Sequence, residues 1–161
     1  MQDKSYIFFW RQNERYGCFS NWYETPFIID GVSYRWTEQF MMAEKARLFN
    51  DDEADQKIMK AGSPNECKKL GRTVKNFDPV LWDEKKFGIV CQGNLAKFQQ
   101  NPELLAKLME TKDSILVEAS PYDKIWGIGL TAKKAKEINP EDWPGENLLG
   151  KALMKVREEL R

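Results

Sequence analysis

Short runs of apolar residues along the chain predict four β-strands. They lie at Tyr6–Trp10, Phe27–Ile29, Val32–Trp36 and Ser114–Ala119. The second and third runs flank Asp30-Gly31, a pair that is typical of a two-residue turn between antiparallel strands. The sequence therefore predicts a β-hairpin near the start of the chain and a buried strand much later.

Longer stretches with apolar residues every three or four positions predict six helices. Two of them run from about Asp52 to Ala61 and from Leu148 to the end of the chain, the latter with a clean amphipathic stripe. The other four begin at recognisable start signals. These signals are Thr37 as an N-cap, the capping box Ser63-Pro64-Asn65-Glu66, and the pairs Asp78-Pro79 and Asn101-Pro102.

The order of these elements determines the predicted fold class. Helices and strands do not alternate regularly, which argues against a doubly wound parallel sheet. Pro121–Pro144 is predicted to be mostly irregular because it contains Gly127, Gly129 and Pro140. We therefore predict a single α+β domain over residues 1–161 that is mainly helical and has a small β-sheet.

Composition narrows the class of protein. The 161 residues are 42% hydrophobic and carry 25 basic and 25 acidic side chains, so no broad surface for tracking phosphates is expected. The start MQDKSYIFFW lacks the long apolar core of a signal peptide, and no run approaches the length of a membrane span. We expect a cytoplasmic protein without membrane contact.

The absence of histidine restricts the possible chemistry. It removes Ser-His and Cys-His nucleophilic schemes and most zinc sites. The three cysteines Cys18, Cys67 and Cys91 are widely spaced and read as reduced thiols. No metal site and no cofactor are therefore predicted, and proton transfer must be carried out by Asp, Glu, Lys, Tyr or Cys.

Two charged residues lie within the apolar stripe of the helix that begins near Thr37. At 100° per residue, Lys45 lies within about 20° of Glu38, among Met41, Met42, Leu48 and Phe49. A buried charge costs several kcal/mol unless it has a partner. One interpretation is a pair of structural ion pairs. The other is a functional lysine whose pKa is lowered by its apolar surroundings. On the side of the helix opposite this stripe, which would face solvent, the wheel places four residues: Phe40, Ala43, Glu44 and Arg47.

Further candidate residues follow the predicted late strand and the predicted third helix. Glu118 and Asp123 lie where a buried strand ends, a common position for sites, although capping or a loop salt bridge would also explain them. Arg72 follows a predicted helix end and is a candidate phosphate ligand. Trp82 and Trp126 are candidates for stacking on a planar base, with core packing as the alternative. We expect Glu38, Lys45, Glu118 and Asp123 to line one pocket.

Several segments together resemble the YbiA/NADAR family in the family's order and over nearly the whole chain. Among them are GCFSNWYETPFIIDGVSYRWTEQFMMAEKA, LVEASPYDKIWGIG and NLLGKALMKVREEL. The most specific matches are Phe19-Ser20-Asn21, Glu38 with Lys45, Gly71-Arg72, Trp82, Glu118, Asp123-x-x-Trp126-Gly127 and Asn147-x-x-Gly150. The segment from 128 to 147 is longer than the Gly-rich link of the family's bacterial members.

The resemblance implies an N-glycosidase that cleaves the bond between a ribose C1′ and a base or amine nitrogen. Implied substrates are ADP-ribosylated guanine in nucleic acid and small nucleotide-like phosphoribosylamino-pyrimidine intermediates of riboflavin synthesis, with a lysine Schiff base as intermediate. The alternatives are a non-catalytic module that binds ADP-ribose or a nucleotide, and a structural domain. The expected catalytic residues are Lys45, Glu38, Asp123 and Glu118. The expected substrate-binding residues are Asn21, Arg72, Trp82, Trp126, Gly127 and Asn147.

Overall fold

The computed structural model describes residues 4–161 and confirms a mainly helical α+β fold. Its strands are β1 (Tyr6–Phe9), β2 (Phe27–Ile29), β3 (Val32–Tyr34) and β4 (Ile115–Glu118). Its helices are α1 (Thr37–Leu48), α2 (Asp52–Met59), α3 (Pro64–Gly71), α4 (Pro79–Gln100), α5 (Pro102–Glu110), α6 (Ala132–Ala135) and α7 (Leu148–Leu160).

The chain divides into two compact units. The first comprises the residues up to Ser20 together with Pro102–Arg161, and the second comprises Asn21–Asn101. A single small sheet was expected, but the strands pair as two separate two-stranded sheets, one in each unit. The assignment of residues 1–161 to one domain stays a prediction.

The hairpin of the second unit follows its turn signal. β2 and β3 pair antiparallel, with Phe27 opposite Tyr34. Asp30 and Gly31 between them have positive φ angles of 51° and 78°, which a tight primed turn requires. The rings of Phe27 and Tyr34 stack, and Phe40 of α1 meets the Tyr34 ring edge-on at 5.1 Å between centroids. The hairpin is thereby packed onto α1.

Helix α1 is buried nearly all round, and this differs from the helical wheel. The wheel placed Phe40 and Ala43 on the solvent side, yet both are buried. The reason is that α1 packs against α2, α3 and α4, so almost every face of the helix meets a neighbour. The backbone of α3 approaches so closely at Gly71 that a Cβ there would collide with the side chain of Met42.

The predicted start signals act as caps in two helices and differently in α1. Side chains of Ser63 and Asp78 accept backbone N–H groups at the starts of α3 and α4. In α1, however, Trp36 is the N-cap and Thr37 is already helical. The Thr37 hydroxyl donates to Asn21 Oδ1 at 2.8 Å, so it joins a tertiary contact and does not cap its own helix.

The first unit is built around the parallel pair β1 and β4, in which Phe9 lies opposite Glu118. Helix α7 packs on β4, and the predicted stripe is largely buried. Gly150 permits this approach, because a Cβ at that position would collide with the carbonyl oxygen of Leu116. A small core of Val117, Ile128 and Ala135 covers the sheet.

The segment predicted to be irregular contains the short helix α6 and a 3-10 turn at Pro140–Asp142. The chain returns to this segment just after it ends, since the N–H of Gly145 donates to the carbonyl oxygen of Ile128 at 2.8 Å. The indole N–H of Trp143 donates to the carbonyl oxygen of Ala135 at 3.0 Å, and this bond ties Trp143 to the end of α6. Among residues 4–161, no helix is long and apolar enough to span a bilayer.

Candidate active site

The side chain of Lys45 lies in an aromatic setting on α1. Lys45 is half-buried, and its Nζ is 4.6 Å from the centroid of the Phe77 ring and 5.5 Å from that of the Trp82 ring. Phe77 in turn meets Phe49 edge-on at 5.4 Å. Aromatic faces attract a cation, and both rings lie close enough to interact with the charged form of the amine.

The surroundings of Lys45 shift its amine toward the neutral form. Burial lowers the pKa of Lys45 below its ordinary value of 10.5, which is the direction that the sequence predicted. The nearby carboxylate of Glu38 raises this pKa, and the guanidinium of Arg72 lowers it. Burial and Arg72 together outweigh Glu38, so Lys45 has a larger neutral fraction near pH 7 than a surface lysine.

Glu38 is only 6% exposed and lies in the first turn of the same helix. Its backbone N–H donates to the carbonyl oxygen of Asn21 at 3.0 Å.

Burial raises the pKa of the Cys67 thiol to about 12, with further contributions from Glu38 and Glu66. Cys67 is therefore protonated near neutral pH and is a poor nucleophile.

Asn21 is held by a buried polar network. Its Oδ1 accepts from the Thr37 hydroxyl at 2.8 Å and from Asn94 Nδ2 at 3.3 Å. The same Asn94 nitrogen donates to the carbonyl oxygen of Val90 at 3.0 Å, which fixes the orientation of its amide. The Asn21 carbonyl oxygen also accepts the Glu38 N–H, so both oxygens of Asn21 are used. The start of α1 is thereby tied to the residue that the resemblance had assigned to substrate binding.

Arg72 and Trp82 complete the group in the second unit. Arg72 follows directly after α3 and is exposed, yet it is close enough to Lys45 to affect its pKa. Trp82 begins the second turn of α4 and is 9% exposed. Packing against its surroundings therefore takes up most of the indole surface, while one face remains directed at the Lys45 amine.

The first unit contains a second group of predicted residues at the end of β4. The backbone N–H of Glu118 donates to Asn147 Oδ1 at 2.9 Å, and Asn147 Nδ2 donates to the carbonyl oxygen of Leu116 at 2.9 Å. The carboxamide thus pairs with β4 as a neighbouring strand would. Asn147 has a left-handed backbone, with φ at 54°, which asparagine tolerates better than most residues.

Asp123 organises the turn that leads to Trp126 and Gly127. Its Oδ1 accepts the backbone N–H groups of Ile125 and Trp126, both at 2.8 Å. A Cβ at Gly127 would lie 2.9 Å from the carbonyl oxygen of Glu118 and 3.0 Å from that of Asp123. Only glycine allows the backbone to come this close to the two carbonyl oxygens, so Gly127 lets the turn pack against the end of β4.

The structure thus gathers the predicted residues into two groups, one in each unit. In the second unit, Glu38, Arg72 and Trp82 all lie near enough to the Lys45 amine to interact with it, and Asn21 anchors the helix that carries Lys45. The other predicted residues lie together in the first unit: Glu118, Asp123, Trp126, Gly127 and Asn147. The shared pocket for Glu38, Lys45, Glu118 and Asp123 stays a prediction.

Sequence reasoning missed two residues of the second unit. Phe77 stands just before the Asp78-Pro79 signal and reads locally as a helix-flanking apolar residue. Asn94 is a polar residue in the middle of a long helix, and that position was the only signal available. Within the described residues, no cluster of three or more His, Cys, Asp or Glu side chains is arranged to hold a metal ion.

Comparison with known proteins identifies the family. Residues 8–161 match the NADAR domain. The chain belongs to the NADAR domain family. A relative named N-glycosidase in Acanthamoeba polyphaga mimivirus is 48% identical to this NADAR chain over 167 residues, covering 99% of the chain and 98% of the relative. A protein named N-glycosidase in Nostoc punctiforme is 35% identical over 96% of the chain and 92% of its own length.

Similarity to Escherichia coli YbiA extends from sequence to structure. YbiA, named an N-glycosidase, is 32% identical to the NADAR chain over 99% of the chain and 91% of its own length. The NMR structure of YbiA matches this chain with a TM-score of 0.80 at 29% identity, covering 99% of this chain and 87% of that one. The fold that the sequence predicted is therefore a YbiA-like fold.

Proposed function

We propose that this NADAR chain hydrolyses the bond between ribose C1′ and a base or amine nitrogen, with Lys45 as the covalent nucleophile. The chain is a hydrolase that acts on N-glycosyl compounds, because relatives named N-glycosidase align with it from end to end. The choice of Lys45 rests on one observation, namely a half-buried amine with a lowered pKa between two aromatic rings.

The chemistry of the proposed step is that of an amine with a carbonyl equivalent. Opening of the ribose exposes C1′ as an iminium ion, and the neutral Nζ of Lys45 adds to it. The glycosidic nitrogen then takes a proton and leaves as the free base, so that C1′ and Nζ are joined by an imine. Water adds to this imine, and its collapse returns the free amine and releases the sugar as its aldehyde.

The proton transfers are assigned to carboxylates, since the chain has no histidine. Glu38 is the candidate supported by its electrostatic interaction with Lys45. Asp123 and Glu118 are assigned by the family resemblance, and their fixed turn at the end of β4 is consistent with a site built on rigid backbone. The carboxylates carry protons between the ring oxygen, the leaving nitrogen and the attacking water.

The proposed substrates are ADP-ribosylated guanine in nucleic acid and phosphoribosylamino-pyrimidines. Both carry phosphate beside the ribose, and the exposed guanidinium of Arg72 near Lys45 is suited to bind it. Asn21, Trp82, Trp126, Gly127 and Asn147 are assigned to substrate binding or to its support. The balanced overall charge favours a compact substrate over a long nucleic-acid track.

Two assays test this function. The protein is incubated separately with guanine-linked ADP-ribose and with a phosphoribosylamino-pyrimidine, and mass spectrometry identifies the base that is released. Borohydride added during turnover should reduce the imine and leave the sugar mass on the peptide that contains Lys45. Lys45→Arg keeps the charge but is a far weaker nucleophile, so it should lose trapping and nearly all turnover.

The alternative is a module that binds ADP-ribose or a nucleotide without cleaving it. Such a module would use Arg72 and the tryptophans but would gain nothing from a lysine with a lowered pKa. It would show saturable binding of ADP-ribose, no release of base from either substrate, and equal affinity in the wild type and Lys45→Arg. A Lys45→Arg variant with near-normal turnover would instead indicate direct attack of water assisted by carboxylates.

A further inference from the structure

Two aromatic rings border the Lys45 amine, and they differ in how much surface they leave open. Trp82 is 9% exposed, whereas Phe77 is 44% exposed. A large apolar side chain at the surface forgoes the stabilisation that burial would give it. Of the two rings, Phe77 therefore has far more aromatic surface left to contact a ligand.

Phe77 is exposed but held in place by its neighbours. The N–H of Lys75 donates to Asp51 Oδ2 at 2.9 Å, and Asn76 adopts a left-handed backbone with φ at 60°. On the other side, Asp78 accepts the N–H groups of the first turn of α4. With Phe49 against its edge at 5.4 Å, the ring is fixed at a defined distance from the amine.

We propose that Phe77 contacts the planar base of the substrate and makes the enzyme selective for N-glycosides with an aromatic leaving group. This inference rests on the proposed function, in which Lys45 bonds to C1′. Once C1′ approaches Nζ, the leaving nitrogen is one bond away, so the base lies beside a ring whose centroid is 4.6 Å from Nζ. Stacking on an aromatic face suits any planar base.

The proposal explains why an aromatic ring is placed here and not an aliphatic one. Within 6 Å of Nζ, a leucine would support the amine by packing alone, but it offers no π-face to the ammonium or to a base. The two functions of the ring are compatible, because the amine needs only part of one face. The substrate class is thus an N-riboside of a purine or pyrimidine-like ring, with an N-riboside of an aliphatic amine as the poorer substrate.

The test compares Phe77→Leu and Phe77→Tyr with Val80→Ala, a control that shortens an apolar side chain 68% exposed on the next turn. Each variant is assayed with guanine-linked ADP-ribose and with ADP-ribose joined at C1′ to methylamine. Phe77→Leu should raise KM for the guanine substrate about tenfold, the size expected for one stacked base. KM for the methylamine substrate should rise by a clearly smaller factor, because the contact between Phe77 and the Lys45 amine is common to both substrates. Phe77→Tyr keeps the aromatic face and should keep the wild-type preference for the guanine substrate.

The possible outcomes distinguish a failure of this inference from a failure of the proposed function. If the wild type releases guanine by way of Lys45 but Phe77→Leu does so with unchanged KM, Phe77 is not a base-contacting residue. Equal losses on both substrates also overturn the proposal, because they would indicate that Phe77 supports the Lys45 amine and does not contact the base. If the wild type cleaves neither substrate, the proposed function itself fails. Should Phe77→Leu not fold, Phe77→Met gives the same comparison, with thermal unfolding as the check.

Discussion

The side chain of Asn147 substitutes for a strand beside Glu118. Its Oδ1 accepts the Glu118 N–H and its Nδ2 donates to the carbonyl oxygen of Leu116, each at 2.9 Å. One carboxamide therefore satisfies two backbone groups of β4 and fixes the end of the strand where two predicted site residues meet. Both the stability of the first unit and the position of Glu118 depend on this amide.

Asn147→Asp tests that arrangement with a change of one atom. The new oxygen faces the Leu116 carbonyl oxygen, so a hydrogen bond is replaced by repulsion between two acceptors. We expect the free energy of unfolding to fall by about 1–3 kcal/mol in urea titrations. Asn139→Asp is the matched control, because Asn139 uses only its Oδ1 as an acceptor, from Glu141, and should lose little. Equal effects of the two substitutions would contradict the amide's role.

Gly127 should not tolerate alanine. A Cβ there would meet the carbonyl oxygens of Glu118 and Asp123 at 2.9 and 3.0 Å, so the backbone would have to shift. We expect lower activity together with a lower melting temperature. Gly88→Ala is the control, because a Cβ in that part of α4 meets nothing within 4 Å and should stabilise the helix by about 0.5–1 kcal/mol. A Gly127→Ala protein with wild-type activity and stability would refute the close approach.

The lowered pKa of Lys45 predicts how activity and stability depend on pH. Turnover by a neutral amine should rise as pH increases through this pKa and level off below the 10.5 of an ordinary lysine. Between those two values the unfolded chain binds more protons, so stability should also rise with pH. Lys45→Met should lack this rise in a pH series of urea titrations. A stability that fell over the same window, relative to Lys45→Met, would mean that the pKa is raised.

The cysteines should differ in reactivity. Burial, with Glu38 and Glu66, raises the pKa of Cys67 to about 12, and Cys18 is also buried, whereas Cys91 is half-buried. At pH 8 the folded protein should be alkylated by iodoacetamide first at Cys91, as followed by peptide mass spectrometry. Denaturation in urea should make all three react. Rapid modification of Cys67 in the folded protein, with activity retained, would contradict its burial.

Activity should also persist after exhaustive treatment with EDTA. The prediction comes from the composition, which offers no histidine, and from a lysine mechanism that needs no Lewis acid. The assay compares base release before and after chelation, with added Mg²⁺ as the second arm. Loss of activity that Mg²⁺ restores would point to a carboxylate-bound ion at Glu118 and Asp123.

Local signals in the sequence determined where several strands and helices begin and which charged residues share one face of α1. The Asp30-Gly31 turn and the start signals at Ser63 and Asp78 act over three or four residues, so they work whatever the rest of the chain does. The 3.6-residue period likewise placed Glu38 and Lys45 on one face of α1, and the structure links them electrostatically. These features could be read from neighbouring residues alone.

Tertiary structure decided what surrounds those residues. Phe40 and Ala43 are buried because three other helices pack around α1, which no pattern within α1 encodes. Phe77 reaches Lys45 across more than 30 positions of sequence, and Asn147 reaches β4 across 29. Contacts between distant segments depend on the packing of whole elements, because packing decides which side chains meet once their own local structure has formed.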